Sequence, residues 1–169
     1  MIENSLRLTF KKFSESDFDN YYSLCGSFEV MKFITGKALT LEETKARFNK
    51  MHEINNADSR LGFFLVRSLE NNQFLGLAKL IVAGPGELEL GYSLLPEFWG
   101  QNFASEIADH LIYYSHNFPE INSLIGIIDP ANEISRKLLE KRGFKSYESK
   151  IENSRNAEYL RMELPGIDN

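Results

Sequence analysis

Cysteine is almost missing from this chain: Cys25 is the only one in 169 residues, which excludes an internal disulfide framework and any multi-cysteine metal site. It has neither an adjacent histidine nor a predicted helix N-terminus to activate it, so a nucleophilic role is not expected. Proline and glycine are scarce, at 5 and 11 residues, so long flexible linkers are not expected either. Apolar runs are short. Phe63 to Val66 and Leu80 to Ala83 fall far below the roughly 18 residues that span a bilayer, and no membrane partner is expected. The opening Met1-Ile2-Glu3-Asn4-Ser5 lacks a basic stretch leading into an apolar one, which argues against a secretory signal. Histidine is limited to three residues. His110 and His116 fall on roughly opposite faces of one predicted helix, and His52 on the polar side of another, so they read as surface histidines and no metal is expected. Positive charge is in deficit, with 19 basic against 24 acidic residues and a net charge of −5. The densest basic run, Arg136-Lys137 with Lys141-Arg142, suits a small phosphorylated ligand and not a duplex, so nucleic acid is not expected as a partner.

What is abundant is core-forming side chain. Leu, Ile, Val and Phe make up about 30% of the chain, well above the range of disordered sequences. No repeat, low-complexity tract or composition shift divides it, so residues 1–169 read as a single soluble, cytoplasmic domain. Monomer and homodimer both remain open.

The period of the apolar residues changes along the chain. Leu6, Leu8 and Phe10 alternate with Arg7, Thr9 and Lys11 as in a half-buried strand, after which Ser14 or Ser16 can cap a helix to about Leu24. Thr40 and Glu43 have capping-box spacing ahead of Leu41, Thr44, Phe48 and Met51 at helical intervals. Leu61–Leu69, Phe74–Ala83 and Glu87–Leu95 are alternating or apolar runs separated by turn residues, and read as a three-strand meander. From Ala104 the stripe Ile107, Ala108, Leu111, Ile112, Ser115 is helical. A short strand at Leu124–Ile128, a helix at Asn132–Arg142 stopped by Gly143, and strands at Phe144–Lys150 and Ala157–Leu164 complete the order β-α-α-β-β-β-α-β-α-β-β. This is an α/β (α+β) fold with a mixed, mostly antiparallel central sheet and flanking helices. Residues 87–128 form a right-handed parallel crossover within it.

Residues 87–144 contain Gly91-Tyr92, then Pro96-Glu97-Phe98-Trp99-Gly100-Gln101-Asn102-Phe103-Ala104-Ser105-Glu106, and later Asn132-Glu133-Ile134-Ser135 and Gly143-Phe144. This pattern resembles the acetyl-CoA-binding core of the GCN5-related N-acetyltransferase (GNAT) superfamily, and is similar to its ribosomal-protein N-terminal acetyltransferase branch. The motifs cover 87–144; the rest matches by element order. The resemblance implies acetyl-CoA as co-substrate and a primary amine, a protein N-terminus or a small amine, as acceptor. It further implies direct attack in a ternary complex. The pyrophosphate would lie on the backbone amides of Trp99, Gly100, Gln101, Asn102, Phe103, Ala104 and Ser105. Independently of any resemblance, a strand that turns into a helix near residue 102 presents unpaired N–H groups and a positive dipole end to an anion. The family usually has Gly where this chain has Asn102, a residue that tolerates left-handed backbone and is a good N-cap.

Amide formation from a thioester needs a free amine, a stabilised oxyanion and a departing thiolate. The resemblance places the oxyanion donors on the backbone of Leu94 and Leu95. Glu89, two residues before Gly91-Tyr92, is the candidate base, with Glu87 the runner-up on the same strand parity. Many relatives carry a tyrosine at the position of Leu139 to protonate the thiolate; here Ser135 is the candidate donor to sulfur, and Asn132 a helix cap that can also contact the pantetheine arm. A solvent-facing strand glutamate and an ordinary first-turn serine are the plain alternatives. Two other readings stand beside the enzyme: a CoA-binding sensor or scaffold without catalysis, and an unrelated α/β binding module. On the acceptor side Glu15, Asp17, Asp19, Glu29, Glu42 and Glu43 read as an acidic surface suited to a cationic amine.

Overall fold

In the computed structural model, which describes residues 2–165, strands from Leu8 to Glu163 form one seven-stranded sheet. Its strands are β1 (Leu8–Lys12), β2 (Gly62–Ser68), β3 (Phe74–Gly84), β4 (Glu87–Leu94), β5 (Ser123–Ile128), β6 (Lys145–Glu152) and β7 (Arg155–Glu163), in the spatial order β1-β2-β3-β4-β5-β7-β6. All pairs are antiparallel except β4–β5, the pair joined by the crossover helix. Fold class and element order match the expectation with one addition. Helices α1 (Phe18–Cys25), α3 (Leu41–Ala57), α4 (Phe103–Ser115) and α5 (Glu133–Glu140) were legible, whereas α2 (Phe28–Met31) is a single turn too short for a periodic signal. It forms because the Ser27 side chain accepts from Val30 N–H and Val30 and Met31 are buried.

Local chemistry sets the helix boundaries. Thr40 Oγ1 accepts from Glu43 N–H at 3.2 Å and the Glu43 carboxylate accepts from Thr40 N–H at 2.9 Å, a complete capping box. Asn132 Oδ1 accepts from Ser135 N–H at 3.1 Å and starts α5. At its other end Gly143 adopts φ +90, and Phe144 N–H reaches back to Leu139 O.

The sheet separates two cores. α4 and α5 cover one face, with Ile107, Leu111, Leu139 and Phe144 packed on Leu80, Leu88, Leu90, Leu124 and Leu160. α1, α2 and α3 cover the β2–β3 region of the other face through Tyr21, Leu24, Phe48 and Met51 on Leu65. Two of the histidines depart from the surface expectation. His110 stacks on Phe10 at 4.7 Å, and His52 lies edge-on to Phe48 with its Nε2 buried; His116 is exposed. Phe10 of strand β1 covers His110, and Phe48, one turn earlier on the same helix, covers His52.

Candidate active site

The β4–β5 ladder is short. It holds four pairs, from Glu87–Ser123 to Leu90–Gly126, and then stops, although β4 continues to Leu94 along β3 and β5 continues to Ile128 along β7. A gap therefore opens in the middle of the sheet beyond Leu90 and Gly126. Backbone parity decides what lines it. Leu95 N–H is donated to Leu75 O at 2.9 Å, so the odd-numbered residues of β4 direct their amides toward β3. Those of Tyr92 and Leu94 point into the gap. Of the two expected oxyanion donors, Leu95 is thus already committed to the sheet, and Leu94 is free.

The chain leaves β4 through a turn at Pro96–Phe98, and Trp99 Nε1 fixes the loop by donating to Leu94 O at 2.9 Å. Trp99 itself remains half-exposed. Gly100 (φ +73) and Asn102 (φ +63) are both left-handed, so the backbone coils inward ahead of α4. Asn102 tolerates the geometry as expected, but it does not cap α4 with its side chain. In the left-handed conformation its side chain is aimed elsewhere and only its carbonyl engages, accepting from Glu106 N–H. Among the described residues, none of the N–H groups of Gly100, Gln101, Asn102, Phe103, Ala104 and Ser105 finds a protein acceptor. Open space surrounds Gly100, where an added Cβ would have no neighbour within 4 Å. Six free donors at a helix N-terminus with room before them make an anion cradle.

One carboxylate lies in the first turn of that helix. Glu106 is turned away, accepting from Ser5 Oγ and from Arg7 N and Nε, each at 2.7 Å. Partial burial works against its ionisation, but these hydrogen bonds and the Arg7 charge hold it below the usual glutamate range. Its charge is therefore compensated beside the cradle.

The wall facing β4 is α5. Ser135 stands half-buried in its first turn, and Leu139, one turn further on, is buried against Gly126. At the C-terminal end of α5, Arg142 donates to Asp109 at 2.6 and 2.8 Å and to Ser105 O at 3.0 Å, which clamps α5 to the first turns of α4. Tyr92 projects from β4 into this space, packed against the core, with its hydroxyl beside Ser135. That hydroxyl is buried and has no hydrogen-bond partner.

Glu89 emerges on the opposite face of β4, level with the last rungs before the gap. It is ion-paired to Lys79 of β3, with 15% of its side chain exposed. Lys79 crosses over Gly91 to reach it, and a Cβ at Gly91 would lie 2.8 Å from Lys79 Cε, so a side chain there would push the lysine aside. Glu87, the alternative base, is held between Ser123 Oγ at 3.2 Å and Arg161 Nη2 at 2.5 Å, at the closed end of the gap. Beyond the gap, the same sheet face carries Ile125, Ala157 and Tyr159, with Lys150 over the Tyr159 ring and Arg161 over Tyr147. Arg155 ties the β6–β7 turn to this region, donating to Asp129 at 2.7 Å and to Lys32 O at 3.1 Å.

The acidic acceptor-side residues divide into two groups. Asp17 caps Ser14 and approaches Arg67, and Glu43 belongs to the capping box and pairs with Lys37, which, with Thr40, holds its carboxyl at about 2. These two are neutralised locally; Glu15, Asp19 and Glu42 are in no ion pair among the described residues, and Glu29 only accepts from Ser27. Tyr92, Lys79 and Arg161 are the site residues that sequence reading missed. Strand parity could have placed Lys79 and Arg161 on the face of Glu89 once the strand pairing was known, but pairing between distant strands is not written locally.

The geometry can be set beside known proteins. The family description "Acetyltransferase (GNAT) domain" matches residues 7–145. An uncharacterized N-acetyltransferase, p20, of Bacillus licheniformis is 28% identical over 141 residues, covering 82% of this chain and 79% of that protein. The RimL ribosomal L7/L12 alpha-N-protein acetyltransferase in complex with coenzyme A superposes with a TM-score of 0.79 at 15% identity, over 96% of this chain and 97% of that one. The spermidine N-acetyltransferase of Vibrio cholerae in complex with CoA and spermine superposes with a TM-score of 0.75 at 18% identity, over 92% and 95%.

Proposed function

This chain belongs to the GNAT acetyltransferase family, and from that premise we propose that it transfers the acetyl group of acetyl-CoA to a primary amine by direct attack in a ternary complex. The observation that carries the reading is the conjunction of the sheet gap beyond Leu90–Gly126 with the six unsatisfied N–H groups of Gly100 to Ser105. Those amides fit a pyrophosphate. The gap then admits the pantetheine arm along β4 and brings the thioester to the free N–H groups of Leu94 and Tyr92, where an oxyanion would be stabilised. Trp99 holds the carbonyl side of this strand end in place. Asn132 orders the first turn of α5 so that Ser135 faces the arm.

The acceptor amine approaches from the other face of the sheet. Glu89 stands there at the apex of the gap and serves as base, directly or through water. Lys79 keeps the carboxylate oriented and gives up its place to a cationic acceptor. Glu87 is the weaker candidate, because breaking its bond to Arg161 would uncouple β4 from β7. A covalent acetyl-enzyme is disfavoured, since Cys25 is 3% exposed on the α1–α3 side and burial pushes its thiol up. An α-amine, with an ordinary pKa near 7.7–8.0, needs less help from the base than a lysine amine near 10.4. That favours a protein N-terminus, the acceptor class in the RimL name; the aromatic floor of Tyr147 and Tyr159 and the unpaired Glu15, Asp19 and Glu42 equally suit a polyamine.

The test is thiol release from acetyl-CoA against N-terminal peptides, polyamines and aminoglycosides, beside CoA binding by calorimetry. Turnover with one class names the acceptor. In Glu89→Gln, kcat is expected to fall about 10²–10⁴-fold while CoA affinity is kept. Tight CoA binding with no turnover on any amine would instead support a sensor.

A further inference from the structure

We propose that Tyr92 is the hydrogen-bond and proton donor to the departing CoA sulfur, acting from strand β4 opposite Ser135 on α5. The inference rests on the acetyl-transfer reading above and adds a residue to it. Three observations lead there. The Tyr92 hydroxyl is buried without a geometrically aligned partner, a state that is costly for a polar group. Buried polar groups left unsatisfied in this way mark a place where a ligand atom completes the bonding. Second, the residue is attached at the gap itself: its backbone amide points between β4 and β5 while its ring projects to the α4–α5 side, from which the thiol arm enters. Third, the position on α5 closest to the end of the ladder is occupied by Leu139, which is packed on Gly126 and can donate nothing. Ser135 is the hydroxyl that adjoins Tyr92 on this side of the sheet.

The chemistry balances with these groups alone. The neutral amine nitrogen adds to the thioester carbonyl carbon, forming the C–N bond. Collapse of the tetrahedral intermediate breaks the C–S bond, and sulfur leaves with the electron pair. Tyr92 Oη–H donates to that sulfur, giving CoA thiol. The proton lost by the nitrogen passes to Glu89 and solvent, and the tyrosine is reprotonated from solvent, so the net change is amine plus thioester to amide plus thiol. Burial pushes the Tyr92 hydroxyl above its ordinary value, so it remains a protonated donor across the working pH range. A serine hydroxyl alone is a poorer acid than a phenol, and the pair gives the thiolate two donors.

Tyr92→Phe removes one oxygen and leaves the ring packing, so folding is expected to be retained and the thermal midpoint unchanged or higher. Single-turnover cleavage of acetyl-CoA at saturating acceptor should slow about 10–100-fold, with the Kd for CoA within twofold of wild type. The same measurements on Ser135→Ala and on the double variant should give a combined loss smaller than the product of the two, because both donors serve one atom. The proposal is overturned if the Tyr92→Phe rate is unchanged, or if CoA affinity alone weakens while the saturated rate is kept. It is also overturned if the midpoint falls sharply, which would mean the hydroxyl was bonded within the fold; the Ser135 arm then has no partner. A wild-type protein with no transfer to any amine would refute the acetyltransferase reading itself, a result separable from these.

Discussion

Gly126 and Leu139 offer the most direct test of how the fold positions the site. Gly126 is the last β5 residue paired to β4, and Leu139 lies against it, only 2% exposed. A Cβ on residue 126 would stand 2.7 Å from Leu139 Cδ1, about an ångström inside ordinary carbon contact of 3.5–4.0 Å. The leucine can rotate, but its neighbours Phe144, Leu124 and Leu160 are themselves buried, so α5 must lift. Overpacking of this kind costs about 1–3 kcal/mol. For a chain of this length 1 kcal/mol moves the melting temperature by about 2–4 °C, so Gly126→Ala should melt lower by roughly 2–12 °C. Leu139→Ala should cost about 2–5 kcal/mol through the cavity it leaves. In the double variant the new methyl enters that cavity, so the total should fall short of the sum by at least about 1 kcal/mol. Urea unfolding of the four proteins, followed by circular dichroism, measures the cycle; additivity to within about 0.5 kcal/mol would refute the packing argument. Because Ser135 is carried on the same helix, Gly126→Ala should also reduce acetyl-CoA turnover more than it reduces CoA binding.

Three further outcomes are expected. Gly100→Ala meets no atom within 4 Å but forces a methyl-bearing residue to φ +73, which should cost about 1–2 kcal/mol of stability, and calorimetry should show weaker CoA binding because the methyl enters the cradle. Glu158 on β7 is 5% exposed and paired to Arg136 of α5, whose hydrogen bonds hold its carboxyl below the usual range despite burial. A carboxylate lowered in the folded state contributes stability above its unfolded pKa, near 4.3, and loses it as pH falls through the folded value. Glu158→Gln should therefore destabilise by about 1–3 kcal/mol at pH 7, with the gap from wild type closing below about pH 4 in pH-dependent urea melts; a constant gap would refute it. Thr40→Ala should cost about 0.5–2 kcal/mol by opening the capping box of α3, read by the same unfolding assay.

Much of this molecule could be read from residues close together in sequence. The capping box at Thr40 and Glu43, the Asn132 cap, the Gly143 stop and the stripe from Ile107 to Ser115 involve groups within one or two helical turns, so spacing alone determines them. The same holds for the strand alternation in Leu88 to Leu94 and for the first-turn part of the cradle, since free amides at Asn102–Ser105 follow from a helix beginning at Phe103, whereas the expected Trp99 amide is spent on Pro96 O. Other features were settled only when distant segments met. The β4–β5 ladder ends at Leu90–Gly126 while β5 stays paired to β7 as far as Ile128, and no local pattern encodes that divergence. Strand pairing between residues 79 and 91 laid Lys79 over a glycine and onto Glu89, while pairing of β5 with β7 placed Arg161 on Glu87. Acidic residues that read as a uniform surface were divided by partners that folding supplied, Arg67 and Lys37 for two of them. Leu95 lost its amide to Leu75, and Tyr92 was brought beside Ser135 with its hydroxyl unanswered. The sequence by itself determined the elements, their caps and the anion-binding turn, because those interactions are short-range. Which side chains face one another across the gap was decided by the tertiary structure, because contacts between strands and helices tens of residues apart depend on register and packing.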